Sequence, residues 1–383
     1  MDLLAQSPFD PATERRVVII ADWLPPDFGA VGQYMQLRAR ALAEQGHDVT
    51  LIGLASGGGS VRREARGKGT LTEVRLAARS VPRGSLLSRL IWTLWTDMRL
   101  VVASFRYLRV AEGVLFTGSP PFMIHLLAPL KFLWRGRLVY RITDFHPECL
   151  IAAQTRPSRS LALLLALTNF WRRRIDGFEV LGIDQKRRLS ATGVSPARIA
   201  LVRDGSPVFF AVGQAGEPLP DALADSCVLL YAGNYGVAHE VDTVAEGYAR
   251  HHREGTGRVR LWLSATGAGA DDLARRLTAH GLPFHRSPPV PIERLAGLLS
   301  TADAHLVTLK DAFVGYVMPS KVYACIDSGR PTLFVGSTDS DVDLLARPSK
   351  VGYWRVPCGD VAGFAEALEQ VANSTARRRT QCE

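Results

Sequence analysis

Short apolar runs and longer amphipathic segments alternate along the chain. The runs at 16–21 and 49–54 are apolar without polar alternation, which is typical of strands buried on both faces of a parallel sheet. Between them, apolar residues at helical spacing predict a helix over 33–45. The same order resumes at 228–232, so the sequence predicts an α/β protein with two Rossmann-like, doubly wound sheets.

Two such series imply two domains, which agrees with a length of 383 residues. We predict a disordered leader at 1–14, a first domain at 15–207, a linker at 208–226, where Pro, Gly and acidic residues accumulate, and a second domain at 227–383. Within the first domain, the stretch GGGSVRREARGKGT at 57–70 predicts a flexible basic loop.

Composition narrows the classes of function. The five cysteines form no CxxC pair, so neither a zinc site nor a disulfide framework is expected. The N-terminus is acidic, unlike a signal peptide, and no apolar run of about 18 residues predicts a membrane span. The net charge of +9 is concentrated in the first half. A basic half suggests a membrane, a nucleic acid or a phosphorylated substrate as partner, although a GC-rich genome would explain part of the arginine excess.

The stretch MPSKVYACIDSGRP at 318–331 predicts a short helix that begins with a lysine. Pro319 and Ser320 mark the helix start, and Gly329 marks its end. Lys321 together with free backbone N–H groups would form an anion site suited to a diphosphate. A surface lysine at an ordinary helix start is the alternative.

Polar side chains follow the strand predicted at 137–142. In doubly wound sheets, ligands bind beyond the carboxyl ends of the strands. Asp144, His146 and Glu148 are therefore candidates for acid, base or hydroxyl-binding roles.

Two amphipathic segments, at 85–110 and 160–174, combine tryptophan with arginine on one helix. Such helices suit the interface of a membrane, whereas the alternative is a helix packed on the sheet with its arginines in solvent. The predicted membrane-contact residues are Trp92, Trp95, Arg99, Trp171 and Arg172.

The order of motifs along most of the chain resembles glycosyltransferase family 4, whose GT-B fold has two Rossmann-like domains facing a cleft. The motifs are PPDFGAVGQ, QGHDV, TDFHPE and LVRDGSP, then YAGNYG, ATGAG, TADAHLVTL, PSKVYACIDSGRP and VGYWRVPCGD. The most similar subgroup comprises bacterial enzymes of O-antigen, capsule or exopolysaccharide synthesis, several of which use lipid-linked acceptors.

The resemblance implies transfer of a sugar from a nucleotide-sugar substrate to a hydroxyl group, with retained configuration and with no metal or other cofactor. UDP is the favoured nucleotide and GDP the next. The donor would bind the second domain through Gly233, Asn234, Gly236, Gly267, Gly269, Ser320 and Lys321. The acceptor would bind the first domain near the loop residues Gly29, Ala30, Gly32 and Ser119, with Asp144, His146, Glu148 and Lys321 as the catalytic set. The expected location is cytoplasmic, peripheral on the inner face of the plasma membrane.

One departure from the family pattern concerns the ribose. The family places a glutamate where this chain has Ala324, and the partner acidic position is Tyr316. Asp327 is a candidate substitute in the same helix. The missing glutamates favour an alternative, a non-catalytic partner that binds a glycan or another transferase, and a sugar-nucleotide epimerase is a further one. A nucleic-acid partner is not expected, because no nucleic-acid motif accompanies the basic residues.

Overall fold

The computed structural model of the protein describes residues 8–27, 30–78, 86–154, 156, 158–211 and 213–382. Contacts within it divide the chain between Asp204 and Gly205 into two units, called here the first unit and the second unit. This division falls close to residue 207, where the sequence predicts the end of the first domain.

The described strands of the first unit are β1 (Arg16–Trp23), β2 (Asp48–Ala55), β3 (Ser60–Arg66), β4 (Gly69–Ala77), β5 (Gly113–Thr117), β6 (Arg137–Ile142), β7 (Gly177–Val180) and β8 (Ile199–Leu201). Its described helices are α1 (Ala30–Gln45), α2 (Leu86–Leu108), α3 (Met123–Leu130), α4 (Glu148–Ala152), α5 (Arg159–Arg172) and α6 (Ile183–Ala191). The strands form one sheet in the order β3-β4-β2-β1-β5-β6-β7-β8, parallel except for the antiparallel pair β3–β4.

The described strands of the second unit are β9 (Cys227–Asn234), β10 (Val259–Thr266), β11 (Phe284–Ser287), β12 (Ala304–Thr308), β13 (Thr332–Val335) and β14 (Tyr353–Val356). Its described helices are α7 (Asp242–Glu254), α8 (Ala268–Ala279), α9 (Ile292–Thr301), α10 (Lys321–Asp327), α11 (Asp341–Ala346) and α12 (Val361–Cys382). All pairs in this sheet are parallel, in the order β11-β10-β9-β12-β13-β14.

The inner strands show why apolar runs predicted this fold. Every residue of β5, β12 and β13 is buried, as expected for strands covered on both faces. Opposite faces of the second sheet pack into two separate clusters, one around Leu229 and the other around Leu230. The predicted α/β class with parallel, doubly wound sheets is therefore confirmed.

Two local predictions are wrong. Residues 60–66 of the predicted flexible loop form β3, which pairs with β4 from Ser60 opposite Arg75 to Arg66 opposite Gly69. The described part of the predicted disordered leader is also ordered, because Phe9 is buried in the core of the first unit. A Cβ atom at Gly113 would lie 2.5 Å from the Phe9 ring, so the glycine makes room for it.

The predicted linker also has structural contacts of its own. Val208 and Leu223 are buried in a core cluster of the second unit, next to Trp262. Residues 208–226 therefore contribute to that unit, although their described part contains little regular structure beyond a short 3₁₀ turn at Asp221–Leu223.

Candidate functional site

Lys321 is the first residue of α10, and its ammonium group has no carboxylate partner among the described residues. Its Nζ lies 3.4 Å from the main-chain oxygen of Asn234 and 3.5 Å from the centroid of the Tyr231 ring. Burial lowers the pKa of Lys321 to about 7. A cation held by an aromatic face and one carbonyl oxygen still has donors for an anionic ligand.

Two glycines bring the start of α8 against the end of β9, where Asn234 lies. A Cβ atom at Gly267 would lie 2.4 Å from Asn234 Oδ1, and one at Gly269 would lie 2.6 Å from Tyr235 Cδ1. Gly267 has φ +103° and Gly233 has φ +109°, values that side chains other than glycine rarely adopt. The backbone N–H of Gly269 donates a hydrogen bond to the main-chain carbonyl oxygen of Tyr235 at 2.9 Å. Lys321 and the N-terminal turn of α8 thus both lie close to Asn234.

An aromatic stack supports this arrangement. The rings of Tyr231 and Tyr235 are stacked with centroids 4.2 Å apart, and His239 contacts both rings edge-on. His239 Nδ1 lies 2.7 Å from the Thr308 carbonyl oxygen. Burial, reinforced by the charge of Lys321, lowers the pKa of His239 to about 3. The histidine is therefore neutral near pH 7, and Lys321 is the group of this cluster that carries positive charge when protonated.

The other predicted donor residues surround Lys321 in different ways. Ser320 is the N-cap residue of α10, as its place at the helix start predicted, but it has helical conformation and its side chain makes no capping hydrogen bond. A Cβ atom at Gly236 would lie 3.6 Å from Asn234 Nδ2, within the same loop. Ala324 is 3% exposed and packs in an apolar cluster, whereas Asp327 is exposed. The Asp327 carboxylate therefore does not share the surroundings of Ala324.

In the first unit, a buried carboxyl group lies at the carboxyl end of β1. Ser119 Oγ donates to Asp22 Oδ2 at 2.8 Å, whereas Oδ1 is buried and has no hydrogen-bond partner in the described part of the chain. Burial raises the pKa of Asp22 to about 6 against the opposing effect of the Ser119 hydrogen bond. A Cβ atom at Gly32 would lie 1.8 Å from the Trp23 oxygen, so α1 approaches this edge only with glycine there. Of the neighbouring loop residues, Gly29 lies outside the described residues, and Ala30 begins α1.

Asp144 and His146 follow β6, at the same edge of the sheet, because β1, β5 and β6 are parallel neighbours. Burial raises the pKa of Asp144 to about 6. Burial also lowers the pKa of His146, against the opposing charge of Glu148 and together with the charge of Arg172. The Asp144 carboxyl group can therefore take up or release a proton slightly below neutral pH, whereas the lowered pKa of His146 favours its neutral imidazole. The motif TDFHPE points to this pair, whereas Asp22 is a single aspartate at the end of an apolar run and belongs to no such motif.

Arg172 does not contact a membrane, and this prediction is wrong. Its side chain is fully buried and forms an ion pair with Glu148, with a second contact of 3.2 Å between Nη2 and Oε2. Nη2 also donates to the main-chain oxygen of His146 at 3.2 Å. The pair joins α5 to α4, so Glu148 positions the loop of Asp144 and His146 and is not a free acid.

A second buried network in the first unit links α1 to the neighbouring strands β6 and β7. Arg38 donates to both Glu179 oxygens at 2.6 Å, and Arg141 donates to Glu179 at 3.0 Å. Arg141 also pairs with Asp204, the last residue of the unit. Two arginines thus balance two carboxylates, and none of these charges is left for a ligand.

Asp97 on α2 is a buried carboxyl group that, among the described residues, is not paired with an arginine. Its two oxygens make no hydrogen bond of ordinary geometry within the described residues. Burial raises the pKa of Asp97 to about 7, and the backbone of Phe122 opposes this only in part. Sequence analysis overlooked it because it occurs once in a helix otherwise read for tryptophan and arginine.

The outward face of α2 carries an apolar stripe. At about 100° per residue, exposed positions from 91 to 105 fall on one side of the helix, and Arg106 and Arg109 follow on that side. Trp95 belongs to the stripe and is 64% exposed. The members of this α2 stripe are Ile91, Leu94, Trp95, Met98, Val102 and Phe105.

The remaining predicted membrane-contact residues lie beside exposed surface. Trp92 and Arg99 are half-buried at the margin of the α2 stripe, and the Trp92 ring lies 6.3 Å from that of Trp23. Trp171 is half-buried on α5, with its ring edge-on to Phe170 at 5.0 Å. Among these three, none is exposed as fully as Trp95.

The described residues contain no group of three or more His, Cys, Asp or Glu side chains placed to hold a metal ion. No helix among them is long and apolar enough to cross a membrane.

No protein-family model matches the sequence. A probable glycosyltransferase, WbjE of Pseudomonas aeruginosa, is 21% identical over 271 residues, which is 67% of this chain and 66% of that protein. The match thus spans slightly less than two thirds of the length of WbjE.

Solved structures match over nearly the whole chain. Sucrose-phosphate synthase from Thermosynechococcus elongatus superposes with a TM-score of 0.67 at 16% identity, over 94% of this chain and 90% of that one. The structure described as trehalose-6-phosphate from E. coli, bound with UDP-2-fluoro glucose, gives 0.61 at 12% identity, over 94% and 93%. At these identities the likeness concerns the fold alone, and it confirms the predicted fold class of two Rossmann-like domains of the GT-B type.

Proposed function

We propose that this protein is a retaining, metal-independent glycosyltransferase of the family 4 type that takes its sugar from a nucleotide-sugar, with UDP favoured. The sugar would be transferred to a hydroxyl group of a lipid-linked or polysaccharide acceptor in bacterial cell-surface glycan synthesis. The observation that carries the proposal is Lys321, a partly buried cation that faces a glycine-rich turn and has no carboxylate partner among the described residues.

Sugar transfer from a nucleotide-sugar requires stabilisation of the nucleoside diphosphate that leaves. As the bond between sugar and phosphate breaks, negative charge grows on the phosphate oxygens, and Lys321 would oppose that charge directly. The N-terminal end of α8, held against Asn234 by Gly267 and Gly269, adds the positive end of a helix dipole. Donors fixed before the reaction lower the barrier more than mobile ones, because they need no reorganisation.

Acceptor binding is assigned to the carboxyl edge of the first sheet. Asp22, Ser119, Asp144 and His146 follow neighbouring parallel strands there. Asp22 and Asp144, with pKa values of about 6, are acceptors for a sugar hydroxyl when ionised. Glu148 and Arg172 would act indirectly, by holding the loop between β6 and α4.

The α2 stripe supports the proposal that the protein binds peripherally to the inner face of the plasma membrane. Exposed apolar side chains with a tryptophan among them bury in the headgroup region, and Arg106 and Arg109 can contact lipid phosphates. The partner would be an anionic membrane surface that presents the lipid-linked acceptor.

Calorimetric titration of UDP, GDP and ADP into the wild-type protein and into Lys321→Ala tests the donor site. We expect one nucleotide, with UDP favoured, to bind the wild type at micromolar concentration and to bind Lys321→Ala at least tenfold more weakly. Binding of no nucleotide to the wild type would refute the proposal. Equal binding by both proteins would remove Lys321 from it.

A non-catalytic protein that binds a glycan or another transferase is the second candidate. Ala324 favours it, because this buried methyl group stands where the family has its ribose-binding glutamate, and the exposed Asp327 lies outside the apolar cluster around Ala324. Under this alternative none of the nucleotides would bind, yet the protein would still associate with glycan or with membranes.

A further inference from the structure

A groove of about 670 Å³ lies between α2 and the β3–β4 hairpin. Its walls are mainly apolar, with Val61 and Leu76 on the hairpin and Val102 and Phe105 on the helix. Val61 is exposed on an edge strand and Val102 is 66% exposed. Apolar side chains on both walls of an open groove favour a ligand that displaces water from both at once.

The groove continues the α2 stripe. Val102 and Phe105 belong to both, and the stripe runs back to Ile91. At 1.5 Å per residue this apolar path is about 21 Å long, which matches an extended hydrocarbon chain better than a compact ligand. A chain that leaves a bilayer along the stripe would therefore enter the groove without crossing a polar barrier.

A cation stands at the rim of the groove. Arg106 lies over the Tyr107 ring at 4.6 Å and donates to the Tyr107 hydroxyl, and it has no carboxylate partner among the described residues. Arg75, in contrast, pairs with Glu73 at 3.1 Å and donates to the main-chain oxygen of Pro25. Arg75 thus ties the groove to the loop after β1, while the Arg106 guanidinium is left for an anion.

We propose that this groove binds the hydrocarbon chain of a lipid phosphate, with Arg106 on the phosphate group. The inference rests on the proposed function, because it assigns the acceptor to the class of long-chain lipid phosphates and places the chain between α2 and the hairpin.

The test is calorimetric titration with farnesyl phosphate below its micellar concentration, beside inorganic phosphate and farnesol as separate probes. The wild type should bind farnesyl phosphate at least tenfold more tightly than inorganic phosphate. Val102→Asp should weaken that binding about tenfold or more, because a carboxylate would then line the apolar wall. Arg106→Gln should weaken the binding of farnesyl phosphate but not of farnesol. The matched control is Leu163→Asp, at a 73% exposed position on α5, which should bind like the wild type.

Two results would overturn the inference. One is equal farnesyl phosphate binding by the wild type and Val102→Asp. The other is a wild-type dimer in sedimentation that Val102→Asp dissociates, with no lipid phosphate bound, which would assign the groove to a second copy of the chain. UDP titration of the same proteins separates this inference from the proposed function. Intact UDP binding without farnesyl phosphate binding defeats only the groove. The reverse result defeats the transferase, and with it the acceptor role of the lipid phosphate, but not lipid phosphate binding in the groove.

Discussion

Buried cations are handled differently in the two units. In the first unit, Arg172 and Arg141 are almost fully enclosed, and each is matched by carboxylates, Glu148 for one and Glu179 with Asp204 for the other. In the second unit, Lys321 is partly buried against the Tyr231 ring and a carbonyl oxygen.

The paired arginines of the first unit stabilise the fold, whereas Lys321 in the second unit is available to bind an anionic ligand. A paired guanidinium has its donors occupied, so its removal leaves a buried carboxylate without compensation. A lysine without a carboxylate partner bears a desolvation cost that a bound anion would offset, and its lowered pKa reflects that cost. The comparison therefore predicts loss of stability for the first kind and loss of function for the second.

The largest expected effect is that of Arg172→Met. The substitution leaves Glu148 buried and unpaired, which should lower the free energy of unfolding by about 3–5 kcal/mol in urea titrations. Arg187→Met, at an exposed position on α6, is the control and should change it by less than about 0.5 kcal/mol. Equal small changes in both variants would mean that the buried pair does not support the fold.

Lys321→Met should show the opposite pattern. Turnover of the nucleotide-sugar should fall about 10²–10³-fold, which corresponds to about 2.7–4 kcal/mol of transition-state stabilisation. The free energy of unfolding should stay the same or rise slightly, since methionine has no charge to desolvate. Lys350→Met, at an exposed position, should retain full turnover. If Lys321→Met destabilised the protein as Arg172→Met does and kept its turnover, the distinction between the two units would be lost.

The pH dependence of UDP affinity sharpens the comparison further. Lys321 has a pKa of about 7 in the unliganded protein, and a bound diphosphate would raise it. Below pH 7 the ammonium form is already present, so affinity is at its maximum. Above pH 7, binding must take up a proton, and affinity should fall about tenfold per pH unit until the raised pKa is reached.

Calorimetry in buffers of different ionisation enthalpy measures that proton uptake directly. The neighbouring titratable groups do not mimic it between pH 7 and 9. His239 is neutral throughout, because its pKa is about 3, and burial raises the pKa of Tyr231 and of Cys325 well above this range. An affinity that is flat from pH 7 to 9 would contradict the role given to Lys321.

The sequence predicts what depends on periodicity. The runs at 16–21 and 49–54 correspond to β1 and β2, because strands covered on both faces must be apolar throughout. β3 was missed for the same reason, since an edge strand rich in exposed arginine lacks an apolar signature. The burial of Phe9 was missed because a single aromatic residue before the first strand shows no pattern.

Long-range pairs mark the limit of sequence analysis at the candidate site. Lys321 was found from a local motif, and the structure places it beside Asn234, which a second motif supplied. Arg172 was misassigned because its partner Glu148 lies 24 positions away, outside any helical repeat. The Asp22–Ser119 pair joins residues 97 positions apart, so the topology of the sheet, and not local sequence, brings it together.

The smallest expected effect concerns the membrane and tests whether exposure, rather than residue type, decides contact. Trp95→Ser removes one exposed indole from the α2 stripe and should weaken pelleting with anionic vesicles about fivefold, which corresponds to about 1 kcal/mol. Phe209→Ser removes a 94% exposed aromatic ring from the second unit and should leave pelleting unchanged. If both variants lost affinity equally, scattered exposed aromatic residues would account for binding. If only Trp95→Ser lost affinity for vesicles, α2 would be the membrane-binding surface. Exposure alone would then not explain binding, because the Phe209 ring is more exposed than Trp95 and would not contribute.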